Sequence, residues 1–359
     1  MTSVNRSTIA LAGLLLALCD TTAQAAPSSK IFRDWLVGCD NLKACTAMSL
    51  PEETAEHVSF LKLTRPAGPQ GALTAVNRIR GEKLKPAFEL MMAIDGAAFP
   101  SPGKRWAATS VDGENAEVAL SAGEAEALIA AARKASKATV MIGDRTFDIS
   151  LSGAVAALLW MDEQQGRLNT TSALIRKGPG THVPPAPPLP LVTARGTAAP
   201  AIPTKTAEAL TAALREHLKR TEPDACADKP DDFKDTKNVW PLGGTLRLVG
   251  LLCYAGAYNF GTGYWIVSGS DVAKARRAMF PRLDGKPEDT LVNADVSTET
   301  GTISYFSKGR GVGDCGSAGT YAWTGSAFVL ASLTEMSICR GITLDDWLTL
   351  VRSDLKTAN

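Results

Sequence analysis

The side chains with the greatest chemical reach in this chain are its cysteines. Cys39 and Cys45 stand in Asp34-Trp-Leu-Val-Gly-Cys-Asp-Asn-Leu-Lys-Ala-Cys-Thr-Ala-Met48, and Cys226, Cys253, Cys315 and Cys339 follow, with Cys19 near the N-terminus. A structural zinc site needs four ligands, as cysteine pairs two to four residues apart or with histidines added. Five residues separate Cys39 from Cys45, and the three histidines, His57, His182 and His217, have no such spacing. A thioredoxin-like redox pair needs two intervening residues. The spacing therefore favours a covalent staple covered by Trp35, and neither a metal nor a cofactor is expected.

The N-terminus sets the redox compartment. Arg6 precedes an apolar run from Ile9 to Leu18, and Ala23-Gln24-Ala25 has the small-residue pattern of a processing site, so residues 1–25 read as a secretory signal peptide. The run is too short to span a bilayer, which takes about 20 residues. A competing lipoprotein reading through Leu16-Ala17-Leu18-Cys19 puts Leu18 where a small residue is wanted. Cleavage after Ala25 leaves six cysteines, an even count that points to disulfides in an exported chain. Six cysteines permit 15 connectivities; the simplest is local in sequence, Cys39–Cys45, Cys226–Cys253 and Cys315–Cys339. With 38 basic and 37 acidic residues, a net charge of +1 and no long charge block, a dedicated nucleic-acid or anionic-membrane surface is not expected.

A second candidate is Gly309-Arg-Gly-Val-Gly-Asp-Cys-Gly-Ser-Ala-Gly319. Gly311, Gly313 and Gly316 have dinucleotide-loop spacing, but that chemistry needs a helix directly behind the glycines, and Tyr321, Trp323 and Gly325 read as strand and turn. The same stretch resembles the nucleophile loop of chymotrypsin-fold cysteine proteases. Using Cys315 as a thiolate would orphan one of six cysteines, and no histidine lies near it in sequence. The glycines are expected instead to fold a tight disulfide loop against Cys339-Arg340-Gly341. That pairing would gather Arg310, Asp314 and Arg340, and with Trp323 they form the expected ligand or partner surface, the bland reading being an ordinary ion pair. The aspartates at 228, 231, 232 and 235 raise a calcium reading, but they lack the Asp-x-Asp-x-Asp-Gly pattern and are diluted by lysines. Trp240, Tyr254, Tyr258, Phe260, Tyr264 and Trp265 would line a groove or, more simply, pack a core. No acid/base pair separates from the scattered carboxylates.

These candidates sit in a mainly β chain with a few helices, an α+β fold. Residues 26–177 read as an N-terminal β-rich domain with two helices, 178–203 as a proline-rich linker without sheet or helix, and 204–359 as a helix followed by an antiparallel β domain. Both domains are expected to be small sandwiches or barrels. Ser121 and Glu124 have the capping-box form for a helix to about Lys134; a second runs from about Gly153 to Gln165. Thr139–Ile142 and Phe147–Leu151 form a hairpin across Gly143-Asp144-Arg145. Ala207, Leu210, Leu214 and Leu218 mark the third helix, and an amphipathic segment is expected at 344–351.

Two stretches, Phe32 to Met48 and Gly309 to Gly341, resemble the exported proteobacterial family known as domain of unknown function 1176. The N-terminal half, with Trp35, Cys39 and "ISLSGAVAALLWMDEQQGR", is distantly similar to the invasion-associated locus B family. The resemblance implies a periplasmic location in a Gram-negative cell and carries no catalytic residues over. The leading expectation is a non-catalytic envelope protein that binds a protein, glycan or peptide; the alternative is a hydrolase or transferase with its site around Cys315.

Overall fold

The computed structural model describes residues 27–53, 55, 57–81, 83–226 and 238–358. The expected signal peptide with Cys19, and the aspartates of the calcium reading, lie outside the described residues. The fold is mainly β, with antiparallel sheets and three α-helices among the described residues.

A six-stranded meander opens the chain: Ser28–Phe32, Trp35–Cys39, Cys45–Ser49, Val58–Arg65, Thr74–Arg80 and Asn115–Leu120, hydrogen-bonded in that order. Cys39 and Cys45 face each other at the end of a hairpin and are bonded. Asp40 Oδ1 accepts the amides of Leu42 and Ala44 and so shapes the loop between them. A second sheet has Ala87–Ile94 at its centre and includes the hairpin of Lys137–Ile142 with Arg145–Ser150. Ile142 pairs with Arg145, so its turn is Gly143-Asp144. Helix α1 (Ala122–Ala132) starts with the expected reciprocal capping box of Ser121 and Glu124. Helix α2 (Ala154–Gln164) follows Gly153, which has φ +101° and leaves no room for a side chain, since a Cβ would sit 1.8 Å from Phe32 O.

Both faces of the first sheet are covered. Trp35, Val37, Cys39, Ala47, Leu61 and Leu63 point into the core shared with α1, α2 and the second sheet. Their neighbours Leu36, Met48, Val58 and Phe60 point the other way and pack against Leu333, Met336, Trp347, Leu348 and Cys315 of the C-terminal half. Such a sheet reads in sequence as unbroken apolar runs rather than alternation, as Trp-Leu-Val-Gly-Cys does. The seam also carries polar ties: Asp346 accepts from Lys62 Nζ and Arg78 Nε, each at 2.9 Å, and Arg352 Nε reaches Asp40 at 2.6 Å.

The C-terminal half holds two five-stranded sheets. One, centred on Leu246–Ala255 and Phe260–Ser268, packs one face on helix α3 (Thr204–Thr221) through Leu210, Leu214, Leu218, Val249, Leu251 and Trp265. The other runs Asp295–Ser297, Thr302–Lys308, Gly316–Trp323, Phe328–Met336 and Leu348–Val351. One local expectation is corrected. The proline-rich stretch does hold a strand: Leu191–Arg195, which contains no proline, pairs in parallel with Asp354–Ala358. The amphipathic segment expected at 344–351 is one 3-10 turn, Leu344–Asp346, followed by the strand Leu348–Val351, in which Leu348 and Leu350 are buried and Thr349 between them is exposed.

Leu348 lies fully in the seam, so Leu348→Ala should cost about 2–5 kcal/mol as a buried large-to-small change. Because the seam joins both halves, chemical denaturation followed by tryptophan fluorescence should shift as one transition. A shift confined to half of the signal change would contradict the shared core.

Candidate functional site

Strand Thr302–Lys308 leaves its sheet into the glycine loop and returns as Gly316–Trp323. Two glycines explain why the loop fits around the sulfurs: a Cβ on Gly309 would lie 2.6 Å from Cys315 Sγ, and Gly316 (φ +133°) would place one 2.0 Å from Ser307 O. Strand, not helix, follows the glycines, so they aim no row of helix amides at a pyrophosphate. Cys315 is bonded to Cys339, and Cys226 to Cys253, which completes the sequence-local set of three bridges. Asp314, Cys315 and Cys339 have ligand atoms within 4.8 Å of one another, yet both sulfurs are consumed by the bridge and offer no thiolate to a metal or a substrate.

The bridge draws three of the four expected surface residues together. Arg310 grips Asp314 as a fork, Nε to Oδ1 at 2.7 Å and Nη2 to Oδ2 at 2.6 Å, and the Gly341 amide donates to the same carboxylate at 2.6 Å. Asp314 is 2% exposed. Burial alone would raise its carboxyl, but the Arg310 guanidinium and the Gly341 amide outweigh it and hold the group below the usual carboxylate range. Arg340 donates Nη1 to Pro51 O at 3.2 Å, across the seam. Trp323 is elsewhere. It is fully buried between the C-terminal sheets, its ring 5.2 Å from Phe328, because its strand position faces the core. As a surface residue it is corrected.

Beside the fork lies a cleft of about 670 Å³ between the two halves of the chain, bordered by Val58, Arg80 and Glu114 on one side and Arg310, Asp314 and Gly341 on the other. Arg80 Nη1 donates to Gly341 O at 3.1 Å and closes its floor. His57 packs beside Gly81 at the margin. The two most exposed large aliphatic side chains among the described residues flank this cleft in sequence: Val312 (78%) lies in its lining, and Val111 (102%) sits three residues before Glu114. Nothing in the sequence linked the turn at 110–114 to the glycine loop. Of the expected aromatic groove, Tyr264 and Trp265 are core, whereas Tyr254, Tyr258 and Phe260 stay partly exposed, with Tyr258 beside Gly311.

A smaller hollow of about 190 Å³ brings together two carboxylates that sequence reading left scattered, Glu288 and Glu335, with Arg282, Tyr305 and Tyr321. Burial raises both carboxyls, and the Arg282 charge pulls them back only in part. The Tyr321 hydroxyl lies 3.2 Å from Glu288 Oε1.

Residues 29–354 match the family described as Protein of unknown function (DUF1176), and the chain belongs to that family. It is 30% identical over 344 residues to Uncharacterized protein YpfG of Escherichia coli (strain K12), covering 90% of each. Among solved structures it is similar to invasion associated protein B from Bartonella henselae, at 12% identity and a TM-score of 0.27, over 38% of this chain and 96% of that one.

Two titration experiments follow. Asp314 is lowered in the fold, so its contribution is present above the unfolded carboxyl range, near about 3.9, and is lost as pH falls through the folded value. Asp314→Asn should therefore cost about 1.5–3 kcal/mol at pH 7, and the gap to wild type should close in strongly acidic buffer; a gap independent of pH counts against the charged fork. Glu335 has the opposite sign. Its raised folded value favours the protonated form, so stability declines as pH rises through that value, and Glu335→Gln should melt above wild type at pH 7 and level with it near about pH 4. Equal melting temperatures at both pH values would contradict the raised carboxyl.

Proposed function

We propose that this DUF1176 family member is a periplasmic, non-catalytic binding protein of the cell envelope, and that it takes a segment of another envelope protein in the cleft between its halves. Three disulfides support an oxidising compartment outside the cytoplasm. No helix among the described residues is long and apolar enough to cross a membrane. The alternative of a hydrolase or transferase built on Cys315 loses its nucleophile to the bridge with Cys339.

The observation that carries the reading is the composition of the cleft. Val312 stands exposed on the glycine loop, Arg80, Glu114, Arg310 and Asp314 line the cleft with charge, and the Arg310 guanidinium is fixed there by Asp314. Apolar contact at the glycine loop with oriented charge beside it suits a polypeptide that carries both side-chain types. Arg310 uses Nε and Nη2 on Asp314, which orients its guanidinium for a ligand carboxylate or carbonyl.

A photo-crosslinking residue in place of Val312, in living cells, should capture a discrete envelope protein, and the adduct should fall at least fivefold when Arg310→Ala or Arg80→Ala is added. The same residue in place of exposed Lys274, far from the cleft in sequence, should not capture it. Equal capture at both positions, or adducts indifferent to both arginines, would sink the proposal.

A further inference from the structure

The "MDEQQGR" stretch at the end of α2 is absorbed by neither the cleft nor the disulfides, and it builds an uncommon polar interior. Asp162, Gln165 and Arg167 are buried, as is Arg65, which is 6% exposed. Arg167 gives its protons to neutral acceptors: Gln165 Oε1 at 3.2 Å, Ser172 Oγ at 3.0 Å and Gly68 O. Arg65 donates Nε to Gly71 O at 3.0 Å, but its Nη1 is shut away from water without a hydrogen bond, 3.6 Å from Asp162 Oδ1. Asp162 in turn accepts the amides of Leu174 and Ile175. The cluster thus sets two guanidiniums against one carboxylate. Burial, and then the Arg167 charge, push Arg65 down to about 10. A buried cation in excess is costly unless an anion completes the set.

Arg65 also lines a hollow of about 530 Å³ between α1 and residues 171–177, within the roughly 300–1,000 Å³ of small-molecule sites. Leu73, Ala125, Ile129 and Leu174 make its walls apolar. Its charged lining is three cations, Arg65, Arg133 and Lys177, against the single acid Glu126. Arg133 is pinned by Ile175 O at 2.5 Å, whereas Lys177 stands exposed at the rim. An apolar hollow with a surplus cation in its lining and further cations around it selects a molecule with one negative head and a hydrocarbon body. We propose that this hollow binds an aliphatic monocarboxylate, its carboxylate drawn to the Arg65 side and its chain lying against α1. The proposal is independent of the protein-binding cleft and stands or falls separately from it.

The test is calorimetric titration of the intact exported protein with hexanoate, octanoate, decanoate and decanol. Saturable one-to-one binding is expected, tightening about fourfold per added methylene, with decanol at least tenfold weaker than decanoate. Lys177→Glu, an exposed change that should leave folding intact, is expected to weaken decanoate about fivefold and leave decanol unchanged. Arg65→Met should abolish the preference for acid over alcohol; if it fails to fold, the alcohol comparison and Lys177→Glu decide alone. N-acetyl-alanyl-leucine, a peptide carboxylate, should bind far more weakly than decanoate. Absence of saturable binding, equal affinity for decanol, no effect of Lys177→Glu, or a peptide as tight as decanoate would each overturn the proposal.

Discussion

Leu36, Met48, Val58 and Phe60 leave the first sheet on the face opposite its own core, and the rest of the molecule follows from having to cover them. A sheet that is apolar on both faces cannot face water on either, so the six-stranded meander needs a second layer that its own helices do not supply. Strands Phe328–Met336 and Leu348–Val351 supply that layer. Their docking sets the seam, and the seam sets the cleft, because Val58 and Arg80 come from the covered sheet while Arg310 and Gly341 come from the loops of the covering one. The ion pairs across the seam, with Asp346 held by Lys62 and Arg78, satisfy the charges that such close docking buries.

Local chemistry in the sequence was legible wherever a few neighbouring residues decide the outcome. The capping box of Ser121 and Glu124 and the leucine stripe of α3 appear where spacing places them, and so does the hairpin after Ile142, though Arg145 belongs to its strand and not to its turn. So do the three bridges, since short loops make local pairing the simplest closure. Partnership at a distance was not legible. The run Trp35–Cys39 enters the sequence reading only as the surroundings of a staple, and the distant residues that cover its second face cannot be named from it. For the same reason Trp323 was misplaced: a tryptophan near a glycine loop looks accessible until the strand's register turns it inward. Glu288 and Glu335 share a hollow only because Gly316–Trp323 and its neighbours bring remote segments together.

The Cys315–Cys339 bridge has two consequences for the loop beside it. It removes the thiol that a nucleophilic mechanism would need, and it anchors, at Cys315, the end of the glycine loop that carries Arg310. A glycine-rich loop left open would sample many conformations and lose that freedom on binding, whereas a loop fixed beforehand has less to lose. Asp314 extends the effect to the side chain, since a guanidinium gripped on two nitrogens is already oriented before a partner arrives. The exposed Val312 is therefore presented on a scaffold that is bonded, hydrogen-bonded and buried beneath it. Val312 and the Arg310 guanidinium are thereby held together as parts of one surface.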